Sequence, residues 1–398
     1  MSSLASVRRR RTAIMLTVNL LAIVALGGIG YTGVRALKRY EGATKVSVES
    51  IKLPVTPVGM LATVDAADRL TSIAVFVLAA GTQLGGSILT VPVSSDSTAG
   101  IGPDRIPLTE VYSKDGAQAL SLALESVLSL TIDVSAVSTP TEAEALLAPV
   151  APFSVAMSSD VEATSAGGTT DVILPAGQAS ISASQAVTVL TSVAKGQLNA
   201  ARRGNIDAVW AGVASGVGAG KATPDLSVPL TSLSDLMGRL FAGPVESRGL
   251  PAEAISATDN PDDKDVEALV RSEAIFVLAS IAPASMSAPS TGLVFRVEAP
   301  PGYEDRVKFA VGVILYLGGN VVSVYLGGDI HEATRYVIDD PRLVQEAESN
   351  NVLFGLTETL KPAMPIEGVD VILQLGTEFL NGVGNELPST TTSTTEPS

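Results

Sequence analysis

The sequence predicts an α/β fold with a mixed central sheet, and three observations support this. Two short, continuous apolar runs at residues 72–80 and 87–93 flank a glycine-rich turn, which is typical of strands buried on both faces. Apolar residues recur at helical spacing over residues 115–130 and 198–215. A further strand–helix–strand pattern begins at Gly292. We therefore expect a larger α/β domain followed by a second, small one.

Composition narrows the possible functions. The chain has 398 residues, enough for two domains and a sizeable core. Aromatic residues make up only 4%, so we expect an aliphatic core. The absence of cysteine excludes disulfides and thiolate metal sites. A formal charge of −15 argues against nucleic-acid binding, which needs a basic surface.

Residues 1–40 predict a membrane anchor. Residues 12–34 carry no charge, and as a helix they would reach roughly 34 Å, enough to cross a hydrocarbon core of about 30 Å. Four arginines, Arg8 to Arg11, precede this stretch, and a sparser basic group follows it, which favours a cytoplasmic N-terminus. The alternative is a cleaved signal peptide. We predict an uncleaved single-pass anchor in the plasma membrane, with the acidic bulk of the chain extracytoplasmic.

The first domain reads as alternating strands, helices and loops. Thr139 and Glu142 form a capping box with Pro140 at the first helical position, which predicts a helix up to Leu147. The other predicted elements are strands at 44–51 and 132–137, helices at 115–130, 184–193 and 198–215, a loop at 158–170, turns at 243–251, an acidic loop before residue 266, and a helix or helix–strand at 266–281.

The second domain is predicted over residues 290–380. Gly318 and Gly319 end a helix whose apolar residues share one face. The predicted elements are strands at 293–298, 320–326, 335–338 and 369–375, with helices at 303–317 and 352–360. The Ser/Thr/Pro-rich residues 383–398 predict a disordered tail.

The order of these parts resembles the LytR-CpsA-Psr family of membrane-anchored envelope proteins. The resemblance rests on ILTVPVSSDST (residues 88–98), PLTEVYSKDGAQALSLALESVLSLTIDVSAV (107–137) and DVILPAGQASISASQAVTVL (171–190). It implies a LytR-CpsA-Psr-like α-β-α domain over residues 41–285, after a basic tail and transmembrane helix at 1–40. Residues 290–380 resemble the LytR C-terminal domain. Active members of the family transfer wall glycopolymers from a polyprenyl-phosphate carrier onto peptidoglycan.

At the positions that this resemblance marks as functional, the chain departs from the family. Thr71, Val93 and Ser94 stand where the family has an acid, an arginine and an aspartate. Part of one basic cluster survives as Arg202 and Arg203, which the resemblance marks as a weak phosphate site. Transfer from a lipid pyrophosphate needs several fixed cations and a carboxylate-held metal, so the replacements predict that the site is degenerate.

Other chemistry-bearing residues favour ordinary structural roles. The alternative for Arg202 and Arg203 is a solvated helix face. Asp65, Asp68 and Asp96 are interpreted as loop acids rather than metal ligands, and the lone His331 as a surface residue. We therefore predict no catalytic residue, no metal ligand and no cofactor, with Mg²⁺ as the cofactor of the alternative, enzymatic interpretation.

Three functions are compatible with the sequence. The leading hypothesis is a membrane-anchored, extracytoplasmic envelope protein that is non-catalytic and binds lipid or glycan or acts as a scaffold. The first alternative is an active glycopolymer transferase, and the second is an interaction module acting through residues 290–380. The expected partners are the cell membrane, a polyprenyl-phosphate lipid or wall glycan and, for the C-terminal domain, a protein. Nucleic acid is not expected.

Overall fold

A computed structural model of the chain describes residues 50–382 except 99, 101–103, 166–167, 222, 225, 228, 289–290 and 350. The predicted anchor at residues 12–34 and the predicted tail at 383–398 lie outside the described residues, as does most of the strand predicted at 44–51. Among the helices of the described part, none is both long enough and apolar enough to cross a membrane.

The elements follow one another as alternating strands and helices. In chain order the strands are β1 (Val58–Val64), β2 (Leu70–Leu78), β3 (Gly86–Val91), β4 (Val134–Ser138), β5 (Phe153–Met157), β6 (Val161–Thr164), β7 (Thr170–Leu174), β8 (Gly177–Ile181), β9 (Val245–Gly249), β10 (Ala252–Ala254), β11 (Glu267–Leu269), β12 (Val294–Ala299), β13 (Asn320–Leu326), β14 (Thr334–Ile338), β15 (Thr357–Leu360) and β16 (Val371–Gln374). The helices are α1 (Leu108–Leu128), α2 (Pro140–Leu147), α3 (Ala183–Thr191), α4 (Asn199–Val217), α5 (Leu233–Leu240), α6 (Arg271–Ile281), α7 (Glu304–Tyr316), α8 (Val344–Glu348) and α9 (Thr377–Asn381).

The first sheet has five strands in the order β4-β1-β2-β3-β9. β1, β2 and β3 pair antiparallel, whereas β4 is parallel to β1 and β9 is parallel to β3. All residues of β2 are buried, because both faces of this central strand are covered. The predicted central pair of strands and the mixed sheet are confirmed.

Helices cover both faces of this sheet. On one face Leu61, Phe76 and Ile88 belong to an apolar cluster with residues of α2, α3, α4 and α5. On the other face Val75 and Leu89 belong to a cluster with residues of α1 and α6. The arrangement is an α-β-α sandwich whose two apolar layers meet at the alternating side chains of β1, β2 and β3.

The second sheet also has five strands, in the order β13-β12-β16-β14-β15. β12 is parallel to both β13 and β16, and β14 is antiparallel to β16. α7 provides the crossover between β12 and β13, as parallel neighbours require. α6 contacts α7 and β13, so the apolar cluster on the outer face of the first sheet continues into the second sheet.

Several elements predicted from the sequence are wrong. The helix predicted at residues 352–360 is a 3₁₀ turn (Asn351–Phe354) followed by β15, because Gly355 has φ +76° and ends the turn in a conformation that favours glycine. The loop predicted at 158–170 contains β6 and the start of β7. The turns predicted at 243–251 contain β9. These strands are short and polar, so their composition resembles that of loops.

Candidate functional site

The segment after β3 is buried and covered by the start of α1. Val93, Ser94 and Ser95 are at most 3% exposed. The amide of Thr109 donates to the carbonyl of Val93, and the amide of Leu108 donates to that of Ser95, both at 3.1 Å. The first amides of α1, which a helix leaves without partners inside itself, are therefore satisfied by this segment.

Arg203 is neutralised by a carboxylate that also holds this buried segment. Its guanidinium forms an ion pair with Glu267 and donates to the carbonyl of Ala252 at 3.3 Å. The hydroxyl of Ser94 donates to the other oxygen of Glu267. The chain Ser94–Glu267–Arg203 thus ties β11 to the end of β3 through the terminal nitrogens of Arg203, whereas its buried Nε has no hydrogen-bond partner.

Arg202 is a buried structural residue, only 4% exposed. Its guanidinium donates to the carbonyl of Thr71 at 3.0 Å and to that of Leu190 at 2.9 Å. Burial lowers the pKa of Arg202 to about 10, despite the opposing charges of Asp65 and Asp265, so the side chain stays cationic at neutral pH. It joins the start of β2 to the end of α3.

The two arginines predicted as a weak phosphate site are therefore adjacent in sequence but serve different partners. Successive helical residues point about 100° apart, which directs Arg202 into the interior and Arg203 towards β11. The alternative interpretation, a solvated helix face, is wrong for Arg202, which is buried, whereas the side chain of Arg203 is 26% exposed and held by Glu267.

Of the three aspartates considered as metal ligands, Asp65 and Asp68 share the turn between β1 and β2, where the amide of Asp68 donates to the carbonyl of Asp65 at 3.0 Å, and Asp96 follows β3. Burial acts to raise the pKa of Asp96, but hydrogen bonds from Thr98, Ile106 and Gly100 outweigh it and lower the pKa. Arg105 adds an ion pair at 3.2 Å. Asp65 is similarly bonded to Arg69. Among the described residues no group of three or more His, Cys, Asp or Glu could hold a metal ion.

Thr71 lies at the start of β2, where the family resemblance marks an acid. Its hydroxyl donates to the carbonyl of Thr63 at 3.0 Å, and the hydroxyls of Thr63 and Ser72 are also bonded to each other. The three residues are buried. This position therefore carries a closed group of neutral hydroxyls.

A cavity of about 500 Å³ opens at this end of the sheet, where β2 begins beside the end of antiparallel β3. We call it the strand-end cavity. It is lined by Asp68, Arg69, Leu70, Thr71, Pro107, Thr109, Glu110, Ser113, Val193, Asn199, Lys264 and Asp265. The sequence predicted this end of the sheet, but Lys264 and Asp265 were missed because they come from an acidic loop that is typical of solvent-exposed chain.

The cations that line the strand-end cavity are paired with carboxylates. Arg69 bonds Asp65 at 2.6 Å, and Lys264 bonds Glu110 at 3.2 Å. Hydrogen bonds from Lys114 and Lys264 lower the pKa of Glu110, which keeps this carboxylate ionised at neutral pH. Both lining cations therefore have carboxylate partners within the chain.

The layer between the first sheet and α4 is filled by aromatic side chains. The rings of Phe76 and Trp210 meet edge to face, with centroids 5.5 Å apart, and both side chains are fully buried. Gly212 lets α4 approach β5, since a Cβ there would lie 2.6 Å from the carbonyl oxygen of Ser154. This region is packed as core, and the strand-end cavity lies outside it.

Neither a protein-family model nor a curated protein matches the chain. Solved structures do. TagT bound to LIIa-WTA has 17% identity over 56% of this chain and 88% of its own, with a TM-score of 0.39. The LytR-CPS2A-psr family protein YwtF (TagT) with bound octaprenyl pyrophosphate lipid has 16% identity over 55% and 86%, with a TM-score of 0.37.

Bacillus subtilis TagV has 11% identity over 55% of this chain and 91% of its own, also with a TM-score of 0.37. The matches cover little more than half of this chain, and they do not show the C-terminal domain that the sequence predicts. The structural neighbours are LytR-CpsA-Psr proteins, the family that the sequence resembles.

Proposed function

We propose that the chain is a non-catalytic binding protein of the cell envelope, built on a scaffold of the LytR-CpsA-Psr type. The observation that carries the proposal is that the arginines at the end of the first sheet are already bonded to other groups of the chain. Arg202 is bonded to two backbone carbonyls, Arg203 to Glu267 and Arg105 to Asp96. Each is engaged by the chain itself.

An enzyme that transfers a glycopolymer from a lipid pyrophosphate would need these guanidinium groups to bind its substrate. A reacting pyrophosphate gains negative charge, which enzymes stabilise with preorganised cations, and losing one such donor typically costs about 10²–10³ in rate. Freeing Arg203 would leave the carboxylate of Glu267, which is 7% exposed, without its ion pair. Because a buried unpaired charge is costly, the native contacts oppose recruitment of Arg203 by a substrate.

The site of binding in this proposal is the strand-end cavity. Its volume falls within the range of about 300–1,000 Å³ that is usual for small-molecule sites. The filled layer around Phe76 and Trp210 favours a ligand confined to the end of the sheet over a lipid chain threaded between sheet and helices. The anchor predicted at residues 12–34 would hold this site outside the plasma membrane.

A transfer assay tests the non-catalytic character. Purified full-length chain in detergent is incubated with a polyprenyl-pyrophosphate-linked glycan, Mg²⁺ and peptidoglycan fragments. We expect no more glycan-linked fragment than in a control without protein. Sustained turnover that is lost in Arg203→Met would instead support the transferase alternative and refute the proposal. The interaction module acting through residues 290–380 stays a prediction.

A further inference from the structure

A further cavity lies in the C-terminal part of the chain, between the second sheet, α7 and α8. We call it the C-terminal cavity, and its volume is about 190 Å³. It is lined by Phe295 of β12, Tyr336 of β14, Ile314 of α7 and Phe354 of the 3₁₀ turn, each at most 9% exposed. Packed interiors leave few voids larger than a water molecule, and an apolar cavity of about 150 Å³ suffices to bind benzene. The C-terminal cavity therefore has room for one small ligand.

The hydroxyl of Tyr336 has no hydrogen-bond partner, although the side chain is only 1% exposed. Burial raises the pKa of Tyr336, and the charge of Glu348 adds to this shift, so the hydroxyl is protonated and can donate at neutral pH. The buried hydroxyl of Thr334, on the same strand, donates to the carbonyl of Phe354 at 2.9 Å. An unpaired buried donor lowers stability, and an acceptor brought by a ligand would reverse that loss.

The charges at the C-terminal cavity disfavour an anionic ligand. Among the described residues that line it, Glu346 has the one charged side chain, and the charge of Glu348 reaches the tyrosine hydroxyl. Behind Phe354, the guanidinium of Arg306 lies over the adjoining ring of Phe379 and donates to the carbonyl of that residue at 2.6 Å. A negatively charged ligand would therefore meet two carboxylates and no cation in the described lining.

The C-terminal cavity opens to solvent where the end of α7 faces α8. Leu317, which follows α7, is 39% exposed, and Gly318, Gly319 and Glu346 are exposed as well. A Cβ at Gly319 would lie only 3.0 Å from the ring of Phe295, so a larger residue there would narrow the cavity. A ligand can therefore reach the buried rings from this side.

We propose that the C-terminal cavity binds a small, uncharged aromatic molecule with one hydrogen-bond acceptor, which accepts from the hydroxyl of Tyr336. The rings of Tyr336 and Phe354 already meet edge to face, with centroids 6.3 Å apart, and a further ring between such walls gains from the same geometry. Peptides are recognised through several side chains or a length of backbone, for which this volume is too small. A small molecule therefore fits the cavity better than a protein segment does.

Fluorine NMR titration of the full-length chain in detergent tests this inference with three probes. The ketone para-fluoroacetophenone carries an acceptor, para-fluoroethylbenzene has nearly the same shape without one, and para-fluorobenzoate is an anion. We expect saturable binding of the ketone and at least about tenfold weaker binding of the benzoate. Tyr336→Phe should weaken binding of the ketone about fivefold, the usual effect of one lost hydrogen bond, and leave binding of the ethylbenzene unchanged.

A second pair of variants locates the bound probe. Leu317→Trp places a large side chain at the opening and should abolish saturable binding of the ketone. Tyr316→Trp is the control, because Tyr316 is 75% exposed and lies outside the described lining. Equal effects of these two variants would place the probe elsewhere, the detergent micelle included, and overturn the inference.

Two other results would also overturn it, namely no saturable binding of the ketone and an unchanged ketone affinity in Tyr336→Phe. Each of these outcomes leaves the function proposed above untouched, because the C-terminal cavity and the strand-end cavity share no described lining residue. Conversely, glycan transfer in the assay above would refute the proposed function whatever the titrations show.

Discussion

The carboxylate of Asp265 lies at the N-terminus of α4, where it accepts hydrogen bonds from both the backbone and the side-chain amide of Asn199. A negative charge at this end of a helix also interacts favourably with the helix dipole. One residue therefore anchors the acidic loop, caps a helix of 19 residues and contributes to the lining of the strand-end cavity.

Removing this cap should destabilise the protein measurably. We expect Asp265→Ala to lower the free energy of unfolding by about 1 kcal/mol, the usual cost of losing a side-chain cap, as measured by urea denaturation. Asp262→Ala is the matched control, because Asp262 lies in the same loop and is exposed. Equal effects of the two substitutions would show that the contact with Asn199 contributes nothing to stability.

Arg202 should behave as a structural residue. In Arg202→Met the carbonyls of Thr71 and Leu190 lose their charged donor, and each unsatisfied buried group costs about 1–3 kcal/mol. We expect a loss of about 2–4 kcal/mol in the free energy of unfolding, measured by the same denaturation.

Arg342→Met is the control for Arg202, since the side chain of Arg342 is 86% exposed and an ion pair at the surface contributes little to stability. A stability of Arg202→Met close to that of the parent chain would contradict the structural role. It would reopen the interpretation of Arg202 as a residue held ready for a ligand.

The sequence predicted those elements whose formation depends on residues close together along the chain. The central strands β2 and β3 follow from continuous apolar runs, and α2 follows from the capping box of Thr139 and Glu142, which is present. β9 and β11 were not predicted as separate strands, because they are short and carry charged residues. Their pairing depends on neighbours far along the chain.

The same limit applies to the candidate site. That residues 202 and 203 are arginines is plain from the sequence, but their partners are not. Glu267 reaches Arg203 across 64 positions of the chain, and Thr71 lies 131 positions from Arg202. No spacing rule links such residues, so the internal contacts of the two arginines could be found only from the folded arrangement.

The pair of Arg203 and Glu267 should show strong coupling. Arg203→Met leaves a nearly buried carboxylate bonded only to neutral groups, and we expect a cost of about 2–3 kcal/mol, below the usual 3–5 for a fully buried pair because Arg203 is partly exposed. The double variant Arg203→Met/Glu267→Gln should recover much of that loss, since the remaining amide is uncharged. Additive losses in the double-mutant cycle would contradict the coupling.

The final prediction concerns Asp207, whose side chain accepts a hydrogen bond from the hydroxyl of Thr90. Burial raises the pKa of Asp207, although this hydrogen bond and the charge of Arg203 act to lower it. A folded-state pKa above the unfolded value of about 3.9 means that ionisation favours the unfolded chain. Its contribution to stability is therefore complete below the unfolded pKa and is lost as the pH rises through the folded pKa.

Asp207→Asn removes this ionisation while keeping an oxygen acceptor for Thr90. We therefore expect the variant to gain stability relative to the parent chain between pH 3 and pH 7, as measured by urea denaturation across that range. Asp96→Asn should show the opposite trend, because hydrogen bonds lower the pKa of Asp96 and its stabilising contribution is present only above the folded pKa. Parallel pH profiles for the two variants would refute the opposite pKa shifts of Asp207 and Asp96. A desolvated carboxylate and a well-bonded one must change the free energy of unfolding with pH in opposite directions.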